Sequence, residues 1–246
     1  LSLASTLPYL VDYKNEYGSI MKGFQANRDK FEREATKKFL SFRKGLSQLI
    51  DRLEECLDSV EIYKNTETTS VKKKDERYEV AFANGETIEA DVVVLALPNQ
   101  AIQKLINDEE LNPYFSKFTN ASAITMYLGF DLPDTVLPQD GTGFIVSHNS
   151  DLVCDASTWT SRKWKHTSKE GNLLIRVFYK ESNPHYQEII QMNDEELTEV
   201  ALKDIKLSVN IEEKPTNVHI TKWIDAMPKY DIAHNDALQE VLSQLE

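Results

Sequence analysis

Residues 78–98 read Tyr78-Glu-Val-Ala-Phe-Ala-Asn-Gly-Glu-Thr-Ile-Glu-Ala-Asp-Val-Val-Val-Leu-Ala-Leu-Pro98. Tyr78 to Phe82 alternate apolar and polar side chains, and Thr87 to Ala90 return in the same period of two. Asn84-Gly85 between them tolerates the positive φ angles of a type I′ turn, so the stretch is predicted to be a β-hairpin. Asp91 to Leu97 then lose the alternation. A continuous apolar run of this kind is expected as a strand covered on both faces. Pro98 ends it and opens a short helix carrying Ala101, Leu105 and Ile106.

Upstream of the hairpin, Val60 to Tyr63 and Thr66 to Lys72 are predicted as strands from their β-branched content. Before them the period is helical. Tyr9, Leu10, Tyr13, Tyr17, Ile20, Met21 and Phe24 recur at three and four, with Gly18 and Gly23 predicting a bend or two short helices. Asn27 to Lys38 read as a solvated charged segment, and Leu46, Leu49, Ile50, Leu53 and Leu57 as a second helical stripe after Gly45. Downstream, Ala123 to Phe130, Gly143 to Ser147, Leu152 to Trp159, Asn172 to Tyr179 and Pro215 to Trp223 are expected as strands of a second sheet. Asn193 with Glu196 forms a near capping box ahead of a helix carrying Leu197, Val200, Ala201 and Ile205, and Ala237 to Leu245 a last helix. The predicted fold class is α+β, a mixed or antiparallel sheet with flanking helices.

Composition narrows the function. The 246 residues carry 28 basic and 40 acidic side chains, a net charge of −12 that repels a phosphate backbone, so nucleic acid is not expected as a partner. The run Lys72-Lys73-Lys74 reads as a solvated hairpin flank. Cys56 and Cys154 show no disulfide or zinc spacing and are expected as buried thiols, one on a helix and one in a strand. No apolar run approaches the roughly 20 residues that span a bilayer, and a cytoplasmic protein with at most peripheral membrane contact is expected. Leu1 is not Met and opens directly into an apolar stretch, which suggests a cut inside a longer protein.

Side-chain chemistry is sparse. His148, His166, His185, His219 and His234 share no metal-ligand spacing, and no metal site or catalytic residue is assigned. Asp108-Glu-Glu110 reads as a solvated loop, and Asp194-Glu-Glu196 as acidic residues favoured in a helix's first turn. Trp159 and Trp164 flank Arg162 and Lys163 and could line an anion pocket, although a strand end packed on the core is the better reading. Trp223-Ile-Asp-Ala-Met-Pro-Lys-Tyr230 is heavy in bulky apolar groups for a loop.

Together, four segments carry a family resemblance. Ala90-Asp-Val-Val-Val-Leu-Ala-Leu-Pro98 and Phe42-Arg-Lys-Gly-Leu-Ser-Gln-Leu49 resemble elements of the FAD-dependent amine oxidase superfamily. Ala156-Ser-Thr-Trp-Thr-Ser-Arg-Lys-Trp164 with Leu173-Leu-Ile-Arg-Val-Phe178, and Trp223-Ile-Asp-Ala-Met-Pro-Lys-Tyr-Asp-Ile-Ala-His234, resemble its porphyrinogen oxidase branch. The resemblance implies a flavoenzyme that oxidises coproporphyrinogen III or protoporphyrinogen IX to the porphyrin with O2 in haem biosynthesis. The first substrate is preferred for so acidic a chain.

The resemblance also implies a division into the tail of a helical subdomain that faces the membrane in relatives (1–40), part of the FAD-binding domain (41–110), the substrate-binding domain (111–223) and a return towards the FAD-binding domain (224–246). Two FAD contacts are carried over, the Val71 backbone to the adenine and Trp223 against the flavin. Arg162, Lys163 and Arg176 are possible partners for propionates on charge grounds. The diphosphate-binding Gly-x-Gly-x-x-Gly is absent from these residues, so as it stands this chain is expected neither to hold FAD tightly nor to turn over. Another flavoenzyme of the superfamily, or a non-catalytic ligand-binding module, is the alternative.

Overall fold

The computed structural model describes residues 2–30, 41–138, 140–147, 149–169 and 171–245. Part of the segment expected at Asn27 to Lys38, and His148, lie outside them. The described chain forms two compact units, one from residues 2–30, 50–119 and 228–245 and the other from 41–49 and 120–227.

In the first unit, α1 (Leu3–Thr6), α2 (Pro8–Tyr17) and α3 (Ile20–Ala26) follow the predicted helical period. The bend falls at Gly18, whose φ of 72° is open to a residue without Cβ. Tyr13 alone of the predicted stripe is buried, edge-on to Tyr9, Tyr17 and Phe24, whereas Met21 is exposed. Helix α4 (Ser47–Glu55), which spans the boundary between the units, forms where the second stripe predicts it. Its leucines and Ile50 are nevertheless exposed, as is Cys56, contrary to expectation. No described element covers that stripe, so helical period here does not translate into a core.

The hairpin is present. Strands β1 (Thr68–Lys74), β2 (Arg77–Phe82) and β3 (Thr87–Ala90) form an antiparallel sheet in that order, with Val71 opposite Val80 and Val80 opposite Ile88. Its turn differs from the type I′ expected. Only Gly85 has positive φ, Gly85 N–H donates to the Phe82 carbonyl at 3.0 Å, and Phe82 N–H donates to Glu86 at 2.9 Å. That is a type I turn closed by a left-handed glycine. Two predicted strands are absent. Val60 to Tyr63 are irregular and exposed. Asp91 to Leu97 are irregular too, and Val92 and Val94 are 76% and 85% exposed. The sheet ends at β3, so no described strand offers this run a ladder to join. Helices α5 (Asn99–Ile106), which starts after Pro98 as predicted, and α6 (Asn112–Phe115) follow.

The second unit is built on a five-stranded sheet ordered β5-β6-β7-β4-β8. Its strands are β4 (Asn120–Pro133), β5 (Gly143–Ile145), β6 (Ala156–Trp159), β7 (Asn172–Lys180) and β8 (Asn217–Pro228). Each predicted strand is thus present with shifted ends, and Cys154, placed in a strand by its sequence, lies just before β6. Strand alternation decides the core: Ile124, Met126, Leu128 and Phe130 of β4 and Leu173, Ile175, Val177 and Tyr179 of β7 are all buried. They pack under α9 (Asp194–Val209) through Leu197, Ala201 and Ile205, the predicted face of that helix. The capping box is complete: Asn193 Oδ1 accepts from the Glu195 and Glu196 amides, and the Asn193 amide donates to Glu196. Full burial of one such aliphatic side chain contributes about 1.5–3 kcal/mol. Short helices α7 (Thr160–Lys163) and α8 (Tyr186–Ile189) complete this unit, and α10 (His234–Leu245) belongs to the first. No helix among the described residues is long and apolar enough to cross a membrane.

Candidate functional site

Because one face of the five-stranded sheet is spent on α9, the alternate residues define an open face. Thr158, Arg176 and Tyr127 lie abreast on β6, β7 and β4, and Ala156, Phe178 and Thr125 form the next row. Arg176 donates from a terminal nitrogen to Tyr127 Oη at 2.9 Å. Its guanidinium carbon stands 4.5 Å from the Phe178 ring centre and 5.4 Å from that of Tyr127, in cation–π contact with both. Arg176 Nε is buried and makes no hydrogen bond. At one edge, Trp223 of β8 donates from Nε1 to Thr125 Oγ1 at 3.0 Å, and the residue is 47% exposed. At the other, Ile145 opposite Ala156 is exposed. The face is a broad apolar and aromatic floor with one embedded positive charge. Such a surface suits a flat, largely apolar molecule with an anionic group, and supplies no nucleophile–base pair.

Trp223 sits inside β8 rather than closing it, and the strand bends two residues later. Asp225 has a φ of 46°. Its amide donates to Ser122 Oγ at 3.0 Å, and its carbonyl accepts from Asn120 Nδ2 at 2.7 Å. Aspartate tolerates the left-handed region better than most residues, and these bonds hold it there beside the exposed indole. Sequence reading missed this device; the only signal was an Asp inside an apolar run.

Val71, the other carried-over position, is buried in the middle of β1. It lines a cleft of about 850 Å³ in the first unit together with Val93, Leu95, Lys72 and Lys73. As β1 is an edge strand, half its backbone N–H and C=O groups point away from β2. Apolar walls, free edge backbone and two lysines fit a purine ring and a nearby anionic group. The spacing Gly-x-Gly-x-x-Gly does not occur among the eight glycines of this sequence, and the cleft at Val71 fits the adenine part of a dinucleotide.

A third cluster is structural. Asp204 on α9 is buried and accepts from the amides of Val153 at 2.8 Å and Cys154 at 2.7 Å. Burial pushes its carboxyl above the ordinary range, against the opposing pull of those two N–H groups. Burial, then the neighbouring Asp204, pushes the Cys154 thiol and the Tyr179 hydroxyl up as well. A small polar hollow of about 100 Å³ opens beside Cys154, Asn183 and His185.

The remaining candidates separate cleanly. Arg162 is committed to the Pro138 carbonyl, to the Asp134 carbonyl at 2.6 Å and to the Asp134 carboxylate at 3.5 Å, while stacking on buried Trp159. Lys163 lies over the Trp164 ring at 4.6 Å. Of the three proposed propionate partners only Arg176 belongs to the open face. Asp108 caps its own loop by accepting from the Glu110 and Leu111 amides. No cluster that could hold a metal occurs among the described residues.

Residues 1–243 match the model of the family described as flavin containing amine oxidoreductase. Coproporphyrinogen III oxidase of Bacillus subtilis (strain 168) is 28% identical over the whole chain and 53% of its own length. The protein of that name from Staphylococcus aureus (strain NCTC 8325 / PS 47) is 26% identical, again over the whole chain and over 54% of its own length. A crystal structure from Exiguobacterium sp. 255-15, assigned as a protoporphyrinogen oxidase, superposes with a TM-score of 0.81 at 30% identity, covering all of this chain and 52% of that one. The chain therefore spans about half the length of these relatives. On the family match along nearly all of its length, the chain belongs to the flavin containing amine oxidoreductases.

Proposed function

We propose that the protein carrying this chain oxidises a porphyrinogen to the porphyrin in haem biosynthesis, with FAD as cofactor and O2 as the final acceptor. Coproporphyrinogen III is the favoured substrate. The observation that carries this reading is the pairing of two relatives of that name, each matched along the whole chain, with a flat aromatic face in which the Arg176 cation is embedded. FAD, when bound, supplies the hydride-accepting chemistry.

The residues of this chain do the rest. The floor of Tyr127, Phe178 and Trp223 receives the tetrapyrrole and excludes water from one side of it. Trp223, fixed by Thr125 and by the bend at Asp225, sets the edge next to the flavin. The β1 edge at Val71 receives the adenine. The absence of an acid–base pair from the open face suits an enzyme whose redox step belongs to its cofactor.

The guanidinium of Arg176 would repel a small cationic amine on this face, and that weighs against the superfamily alternative. The test is expression of the whole reading frame containing these residues, followed by incubation with coproporphyrinogen III, protoporphyrinogen IX and putrescine. Porphyrin fluorescence growing fastest with coproporphyrinogen III is expected. Turnover of the amine with neither porphyrinogen oxidised would refute the reading.

A further inference from the structure

We infer that Arg176 is the carboxylate-receiving residue of the open sheet face, fixing a flat aromatic ligand by one of its acid side chains. The tetrapyrrole identity of that ligand rests on the proposed function; the carboxylate recognition rests on the geometry of Arg176.

Within the second unit two arginines stack on aromatic rings, and they differ in what else they bind. Arg162 has its fork filled by the Asp134 carboxylate and by the Asp134 and Pro138 carbonyls. Among the described residues Arg176 has a single hydrogen-bond partner, the neutral Tyr127 hydroxyl, and its Nε is buried without any. It makes no salt bridge among the described residues. A partly buried cation with an unmet N–H costs free energy that folding alone gives no reason to spend.

The side chain is also held ready. Tyr127 and Phe178 grip the guanidinium, so little rotamer freedom remains to be lost when an anion arrives. Guanidinium presents paired N–H groups that match the two oxygens of a carboxylate. Around it the row Thr158–Arg176–Tyr127 and the neighbouring Phe178, Thr125 and Trp223 are flat and mostly apolar. A ligand that satisfies both parts at once is a planar aromatic carrying at least one carboxylate at its rim. Coproporphyrin, with its propionate arms, has this form.

The experiment follows quenching of tryptophan fluorescence in the protein expressed from the whole reading frame. The probes are coproporphyrin III, its tetramethyl ester and 2-naphthoate. The wild type is expected to bind the acid about 10- to 100-fold more tightly than the ester, the range a charge-assisted hydrogen-bonded pair supplies. Arg176→Leu should lose that preference and keep ester binding, which also reports an intact fold. Arg176→Lys, should the leucine variant fail to fold, keeps the charge without the fork and should show a reduced preference. Equal binding of acid and ester by the wild type, or a full preference surviving in Arg176→Leu, overturns the assignment of Arg176 and leaves the porphyrinogen reading standing. Arg176-dependent binding of 2-naphthoate with neither porphyrin bound keeps the carboxylate site and removes the tetrapyrrole. Binding of none of the three overturns the inference.

Discussion

Two apolar stretches of this chain have opposite fates. In β4 and β7, Ile124, Met126, Leu128 and Ile175 are wholly buried, each strand laddered to a neighbour and covered by α9. In the run Asp91 to Leu97, three consecutive valines carry at least as much β-branched character, yet Val92 and Val94 are among the most exposed aliphatics of the chain. The difference is not one of residue type. A strand needs a ladder for its backbone groups and a cover for its side chains, and β propensity measures fit to such a surface rather than the power to create it. The second unit supplies both from one stretch of sequence, since β7, the capped helix α9 and β8 follow one another.

The contrast can be put under strain by substitution. Removing the carboxylate that ties α9 to the loop before β6, in Asp204→Ala, leaves the buried Cys154 amide and the half-buried Val153 amide without an acceptor. Chemical denaturation should show a loss of about 2–6 kcal/mol, and a loss below about 0.5 kcal/mol would mean that the loop finds other partners. Leu197→Ala, under the sheet, should cost about 2–5 kcal/mol by the same measurement.

A smaller effect is expected from pH. Since burial raises the Asp204 carboxyl in the folded state, the native protein holds that proton more tightly than the unfolded chain does. Its contribution is complete below the ordinary aspartate range and declines as pH rises through the raised value. The stability difference between wild type and Asp204→Asn should therefore shrink as pH rises from the ordinary aspartate range through the raised value. A difference that grows over this interval would contradict the raised pKa. The smallest change belongs to the exposed run, where Val94→Ala should move stability by no more than about 0.5 kcal/mol. A Val94→Ala loss as large as that of Leu197→Ala would erase the comparison.

Much of the second unit was legible because its signals are local. The Asn193–Glu196 box, the alternation of β4 and β7 and the apolar face of α9 are each contained within a few turns or residues. What escaped depends on distance. Whether Asp91 to Leu97 pair is decided by other strands, and whether the Leu46 to Leu57 stripe is buried is decided by what lies over it. Asp204 had a readable trace: it falls on the same helix face as Leu197, Ala201 and Ile205, where a lone carboxylate must find donors. Arg176 had none, because its sequence neighbours do not distinguish it from Arg162. Only the tertiary positions of Asp134 and Tyr127 separate a satisfied guanidinium from one with an N–H to spare.

The two thiols also lie in unlike settings. Cys154 is 2% exposed with its thiol held protonated by burial, while Cys56 stands in the open. Thiol-directed reagents act on the accessible thiolate, so at neutral pH a maleimide dye or nitroxide should couple at one position only. The wild-type chain thus carries a ready anchor for a single spectroscopic reporter, and distances or rotational rates could be followed from it without engineering a cysteine.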